Sequence, residues 1–392
     1  MKQLKILVAN KFYYYRGGDC TYSISLEKLL QEKGHKVAFF SMQHPSNIVS
    51  EWNQYFPSQV DFSTTCLKEK LIASIRLLHS NEIKNKFTKL IDEFRPDVLH
   101  LNNIHSQLSP YIGEIAHKKG IKVVWTLHDY KLVCPAYSCL RDGKTCELCI
   151  PNSTHNVLYH KCMKRSLPAS LLAYMESLVW SKKKLITNTD TFITPSLFMK
   201  QIMIKGGFPD SKIQVLPNFT NREYLMHSFE KGNYYCYIGR LSEEKGLNTL
   251  IKVASDLPYK LIIIGTGPLE KTLAHNNKNI KFVGFKNWEE IKTIVSQARF
   301  SVLPSEWYEN NPLSIIESLC MGTPVLGANI GGIPELIDNT NGTLFKSGVP
   351  CDLKEKIQIM YNKSFNYSDI CTAAQMKYSA DNYYNKILEI YE

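Results

Sequence analysis

Pro304–Ile337 reads PSEWYENNPLSIIESLCMGTPVLGANIGGIPELI. It puts two carboxylates, Glu309 and Glu317, eight positions apart, the first in a polar loop and the second on a helix. Pro312 stands where a first helical residue would; its missing N–H is harmless there and its φ is already suitable. The N–H groups of Leu313 and Ser314 are then unpaired donors at the positive end of a helix, an anion site. Glu317 falls one turn further in, on the face shared with Leu313 and Ser314. Thr323-Pro324-Val325 follows as a strand and Gly331-Gly332 as a flexible loop. Anion-binding amides flanked by two carboxylates suit a ligand with both phosphates and hydroxyls, which points to a nucleotide-sugar.

On either side, short β-branched runs alternate with amphipathic ones. KILVAN, HKVAFF, DVLHL and KVVWTL read as strands in the first half, and YYCYIG, KLIIIG, IKFVG, RFSVLP and PVLGA in the second. Apolar strands separated by helical stretches such as TYSISLEKLLQEKG imply parallel sheets covered on both faces. A chain of 392 residues is two domains' worth. The expectation is an α/β protein of two doubly wound domains, 1–215 and 216–376, joined near VLPNFTNREYL at 215–222. Each glycine-rich or charged motif falls where a strand ends, so one ligand cleft shared by the two halves is expected.

Composition sets outer bounds. The apolar fraction is 44% and the charged fraction 21%, ordinary for a globular chain. No apolar run approaches a bilayer span, and the apolar part of MKQLKILVAN is too short for a signal peptide, so a cytoplasmic location is expected. A net charge of +11 favours anionic partners: a nucleotide diphosphate, anionic lipid or nucleic acid.

The motifs in their order resemble the retaining glycosyltransferases of family 4, which have the GT-B fold. The resemblance covers nearly the whole chain: NKFYYYRGGD, PDVLHLNNIH, WTLHDYKLVCP, VLPNFTN, YIGRLSEEKGLNTLI, LIIIGTGPLE, NIKFVGF and the Glu309–Glu317 pair. It implies two Rossmann-like domains facing each other across a cleft, the first on the acceptor side and the second holding the nucleotide-sugar. It also implies a terminal helix, 377–392, that crosses back to the first domain. By resemblance Arg240 and Lys245 clamp the leaving diphosphate, where fixed cations stabilise developing charge. A solvated loop with a salt bridge to Glu243 or Glu244 is the other reading of that segment. Glu309 is implied to contact hydroxyls of the transferred sugar, and Glu317 the ribose. The family often has Gly-Phe-Gly after the first glutamate; Asn310, Asn311 and Pro312 stand there instead. Glu306 is a peripheral carboxylate.

Other candidates sit at strand ends. Gly239 allows a tight turn after YYCYI, and Gly265 and Gly267 after LIII would let backbone approach the nucleotide-sugar. Gly17 and Gly18 would bring N–H groups against a phosphate or the transferred sugar. His128, after VVWTL, matches the family's histidine near the reacting sugar, and His105 is a lining candidate. The resemblance implies no metal for turnover, and the chain has no Asp-x-Asp motif. With retention, the acceptor hydroxyl attacks on the face the diphosphate leaves; a carboxylate-nucleophile double displacement is the competing scheme.

Two features stand outside that scheme. Cys134, Cys146, Cys149 and Cys162 form Cys-x11-Cys-x2-Cys-x12-Cys in a polar insertion, with Cys139, His155 and His160 nearby; four thiolates would make a structural zinc site. The remaining six of eleven cysteines, Cys20, Cys66, Cys236, Cys320, Cys351 and Cys371, read as small buried hydrophobes. LPASLLAYMESLVW followed by Ser181-Lys182-Lys183-Lys184 is an apolar helix ending in cations. Core packing with a C-terminal dipole partner explains it; so does an interfacial helix on anionic lipid at the inner face of the plasma membrane. The latter fits a lipid-linked or other glycan acceptor in bacterial capsule, O-antigen or exopolysaccharide synthesis. Rival functions are a GT-B epimerase or phosphorylase that needs no external acceptor, and a basic Cys-rich nucleic-acid binder. No aromatic-basic platform supports the second, so no nucleic-acid partner is expected.

Overall fold

The computed structural model describes residues 2–60, 80–221, 229–273 and 277–392. Cys66 and positions 222–225 of the junction motif lie outside the described residues. The chain divides into two compact units. One holds Met1–Cys139, Glu147–Pro217 and Tyr383–Glu392; the other holds Leu140–Cys146 and Asn218–Asn382. The division thus follows Pro217, and the end of the chain returns to the first unit at Tyr383 rather than 377. Inside the Cys-rich insertion, a short hairpin of β5 (Leu140–Arg141) and β6 (Lys144–Thr145) groups with the second unit.

The first unit is built on strands β1 (Lys5–Ala9), β2 (Lys36–Phe40), β3 (Val98–Leu101), β4 (Lys122–Thr126), β7 (Thr191–Thr194) and β8 (Ile213–Val215). They form one sheet in the order β2-β1-β3-β4-β7-β8, every pair parallel. Parallel neighbours need crossover connections, and these are the helices α1 (Gly18–Glu32), α2 (Asn81–Phe94), α3 (Tyr111–Lys118), α4 (Asn156–Tyr159), α5 (Leu167–Val179), α6 (Lys182–Thr187) and α7 (Leu197–Lys205). With helices on its faces, the sheet has no wet side, so β3 is buried at all four positions. Strands β7 and β8 are too short and too polar, as TFIT and IQV, to announce themselves in sequence.

The second unit repeats the plan. Strands β9 (Tyr234–Ile238), β10 (Lys260–Ile264), β11 (Ile280–Gly284), β12 (Ser301–Leu303), β13 (Val325–Ala328) and β14 (Gly342–Phe345) pair in parallel as β11-β10-β9-β12-β13-β14. Helices α8 (Leu247–Ser255), α9 (Glu270–Leu273), α10 (Trp288–Gln297), α11 (Leu313–Cys320), α12 (Pro350–Asn362) and α13 (Tyr367–Lys377) cover it. Helix α10 starts on a capping box, Asn287 accepting from the Glu290 N–H while Glu290 accepts from the Asn287 N–H, each at 3.0 Å.

The last helix, α14 (Ala380–Tyr391), is tied to the first unit through tyrosine hydroxyls. Tyr383 bonds Tyr22, Tyr384 meets His35 Nε2 at 2.8 Å, and Tyr391 meets His100 Nδ1 at 2.5 Å. Tyr383, Ile387 and Tyr391 fall on one face at helical spacing, and each is buried. A buried phenol hydroxyl has to be paired, and here each finds a partner.

Candidate active site

In an open parallel sheet, ligands bind at the carboxyl ends of strands where the order reverses. In the second unit that place lies between β9 and β12. Strand β9 runs into Gly239–Lys245, and β12 into Ser305–Glu309. There Lys245 Nζ sits 2.6 Å from Glu309 Oε1, and Ser305 Oγ donates to the same oxygen at 2.6 Å. The ammonium also stands 5.0 Å above the Trp307 ring. Burial pushes the Glu309 carboxyl up, but the Lys245 charge and the bonds from Lys245 and Ser305 outweigh it and hold it below the ordinary carboxylate range. Glu309 is therefore an ionised, buried acceptor, although its loop is polar in sequence. The salt bridge to Glu243 or Glu244 that the sequence left open does not form at Lys245. Arg240 is exposed, and its carbonyl accepts from the Tyr237 hydroxyl at 2.8 Å.

Backbone contacts lock this loop. Gly332 N–H donates to the Glu309 carbonyl at 2.7 Å, and a Cβ on Gly331 (φ 60°) would lie 2.3 Å from that same oxygen. The Gly331-Gly332 segment is thus a clamp on Glu309, and it leads into a single 3-10 turn, Ile333–Glu335, rather than a flexible loop. Gly265 and Gly267 serve a similar end. An added Cβ would come within 2.0 Å of the Gly239 carbonyl oxygen and 2.4 Å of that of Leu241. Their smallness lets the β9 and β10 loops touch, which is reason enough for glycine without a ligand.

Helix α11 begins at Leu313, with Pro312 as its N-cap in extended conformation, one position earlier in role than the sequence reading placed it. The Pro312 carbonyl accepts from Ile315 at 3.1 Å, so Leu313 and Ser314 keep N–H groups with no acceptor inside the helix. Glu317 is half-buried on the same face. Asn310 is half-buried. Asn311 is buried and already engaged. Its Oδ1 accepts from the Asn218 N–H at 2.9 Å, and its carbonyl from Asn218 Nδ2 at 2.7 Å. Through these two bonds Asn311 holds the loop in place. Glu306 accepts from Thr249 Oγ1 at 2.6 Å, a structural bond.

In the first unit the order reverses between β1 and β3. Gly17 caps α1 with φ −161°, extended backbone open to any residue, and Gly18 opens the helix. Both are exposed, and no atom lies within 4 Å of where a Gly18 Cβ would be. The fold does not require glycine here, so the free space is what the residue supplies. His128 Nε2–H donates to Asn102 Oδ1 at 3.0 Å, while Asn102 Nδ2 donates to the Ala9 carbonyl. Burial pulls the imidazole down to about 4, with Asp19 opposing and Lys11 assisting, so at neutral pH His128 is uncharged with Nδ1 as acceptor. His105 stacks on Trp125 and lies 3.9 Å from Asp129; burial lowers it strongly too.

Several contributors were not singled out in the sequence. Asn103 Nδ2 donates to Asp19 Oδ2 at 3.1 Å, joining the β3 and β1 loops. Tyr13 donates to both Glu27 carboxylate oxygens at 2.9 Å, anchoring the loop that carries Gly17 and Gly18. Ser305 and Asn218 support Glu309 and Asn311. Asp19, Asn103 and Tyr13 lie inside motifs noted above, but only their cross-strand partners show what they do.

The four-thiolate zinc site does not assemble. Among the described residues no group of three or more His, Cys, Asp or Glu side chains is disposed to hold a metal ion. Cys134 instead hydrogen-bonds Cys139, outside the expected ligand set; that bond first draws the Cys134 thiol down to about 7, and it pushes Cys139 up. Spacing alone cannot say which thiols the insertion's turns bring together. Cys351 is exposed, not a small core residue.

Comparison with known proteins now bears on this geometry. A family model described as Glycosyltransferase Family 4 matches residues 16–224, and one described as Glycosyl transferases group 1 matches residues 226–380. A protein from a cps region of Klebsiella pneumoniae is 26% identical over 352 residues, 85% of this chain and 87% of its own. Sucrose-phosphate synthase from Thermosynechococcus elongatus superposes with a TM-score of 0.73 at 18% identity, covering 100% of this chain and 98% of that one. Anabaena HepE, solved in complex with UDP-glucose, does so with a TM-score of 0.67 at 15% identity, covering 99% of each. The first model spans more than half of the sequence and the structural likenesses give the fold, so the chain is a glycosyltransferase of family 4 with the GT-B fold.

Proposed function

We propose that the enzyme moves a sugar from a nucleoside-diphosphate donor to a hydroxyl of a glycan or lipid-linked saccharide, retaining anomeric configuration, in surface-polysaccharide synthesis. The observation that carries the reading is the Lys245–Glu309–Ser305 cluster at the β9/β12 reversal. It couples a cation suited to a diphosphate with an ionised carboxylate suited to sugar hydroxyls. Leu313 and Ser314 N–H groups add phosphate or hydroxyl contacts, and Glu317 takes the ribose. A likeness to a protein solved with UDP-glucose supports the donor class, and a relative from a cps region supports the acceptor class.

In this reading Lys245 and Arg240 stabilise the charge that grows on the diphosphate as its bond to the sugar C1 breaks. The acceptor oxygen bonds to C1 on the face being vacated, and its proton passes to a departing phosphate oxygen. No residue need become covalently attached. Glu309, bonded by Lys245 and Ser305, is occupied as an orienting acceptor and poorly placed as a nucleophile. In the first unit we assign His128, Gly17 and Gly18 to the acceptor side; neutral His128 accepts through Nδ1.

A panel of nucleoside-diphosphate sugars, each with and without saccharide acceptors, tests this. Expected is nucleotide release that depends on acceptor, with NMR of the new linkage showing the donor's anomeric configuration. Acceptor-independent epimerisation of the sugar would overturn transfer, and a glycosyl group trapped on a carboxylate would overturn the single-step route.

A further inference from the structure

Helix α5 sits in the first unit inside out. Its exposed large apolar side chains are Leu167, Leu171, Met175 and Leu178, at 52%, 47%, 40% and 56% exposure, three or four positions apart and so on one stripe. The face turned inward carries Ser170, Ala173 and Glu176, all buried. A helix serving only its own core shows the opposite arrangement. The orientation is fixed by polar contacts on the inner side. Lys131 Nζ lies 2.8 Å from Glu176 Oε2, and the Ser106 N–H donates to Glu176 Oε1 at 3.2 Å. Turning the leucines inward would break a buried ion pair, so the helix is held with its apolar stripe in solvent. Tyr159, on the packed neighbour α4, adds an exposed ring.

The surroundings say what covers the stripe. Between Leu148 and Thr189 the only acid is Glu176, which faces inward; Lys161, Lys164, Arg165, Lys183 and Lys184 are exposed. The cations therefore stand at both ends of the apolar stripe, with no exposed acid among them. At the C-terminal end, Leu178, Trp180, Lys182 and Lys183 line part of a cavity of about 310 Å³ whose wall also includes the Lys131–Glu176 pair. Among the described residues no helix is long and apolar enough to cross a membrane. We infer that α5 is an interfacial helix that lies on an anionic phospholipid surface, leucines among the acyl chains and lysines at the phosphates. This goes beyond the donor and acceptor assignments and stands without them, since binding to vesicles needs no turnover.

The test is sedimentation of the full chain with phosphatidylglycerol–phosphatidylcholine vesicles and with pure phosphatidylcholine vesicles. The protein is expected to bind the anionic vesicles and to be released at ~1 M salt, where the Debye length is about 3 Å. Leu171→Glu with Leu178→Glu is expected to lower the partition coefficient about tenfold or more. Because both side chains are half in solvent, the thermal midpoint of that variant should not change. Replacing Lys164, Arg165, Lys183 and Lys184 by Glu should abolish anionic selectivity. Equal binding to both vesicles, binding to neither, or full binding by the leucine variant would each overturn the inference. So would wild-type self-association that the leucine variant abolishes, which would make the cover a second copy.

Discussion

Lys245 and Glu309 are 64 residues apart in sequence and 2.6 Å apart in the fold, where the ammonium helps hold the buried carboxylate ionised. The pair joins the loop after β9 to the loop after β12 at the place where the sheet reverses order. Removing Lys245 leaves a buried carboxylate without its cation. Lys245→Ala is expected to lower kcat by about a hundred- to a thousandfold and to destabilise the second unit by roughly 3 kcal/mol. Adding Glu309→Gln should recover part of the stability and none of the activity. Denaturation and steady-state rates of the single and double variants measure both.

Two glycines separate fold from ligand contact. Gly331→Ala drives a methyl into the Glu309 carbonyl at a left-handed φ, and a loss of at least about 2 kcal/mol is expected, with activity falling as Glu309 shifts. Gly18→Ala meets open space, so its melting curve should match the parent while KM or kcat changes. An unchanged enzyme on both counts would remove Gly18 from the proposed site.

Glu27 gives a pH signature. Burial raises its carboxyl from 4.5 to about 7, opposed by the Tyr13 bond. A folded value above the unfolded one means that the native state holds the proton more tightly. That contribution is present below about pH 4.5 and is lost as pH rises through about 7. The difference in stability between the parent and Glu27→Gln should therefore shift by up to roughly 3 kcal/mol across that window, against the parent at the alkaline end. Chemical denaturation at several pH values reads this directly.

His128 titrates near 4, well under the usual 6.5. The rate–pH profile is expected to show no acid limb near 6.5 from this residue. A limb there that disappears in His128→Gln would mean that the imidazole works as the cation.

Much of this was legible in the chain. KILVAN, DVLHL, YYCYIG and KLIIIG announced their strands because a sheet covered on both faces demands unbroken apolar runs, a local property. Glycine-rich motifs at strand ends located the loops of both reversal points. Short strands such as Thr191–Thr194 lacked enough apolar residues to stand out. The cysteine spacing misled, because ligand geometry depends on turns that spacing does not describe.

Order along the chain, two parallel sheets and the kind of residue at each strand end were determined by the sequence itself, through periodicity and turn chemistry that act over a few residues. Packing in three dimensions set which side chains meet: Lys245 with Glu309, Asn311 with Asn218, Tyr13 with Glu27. It alone also decided which face of α5 turns outward. Periodicity groups residues on a face but carries no direction, and the direction came from an ion pair with Lys131 on another segment.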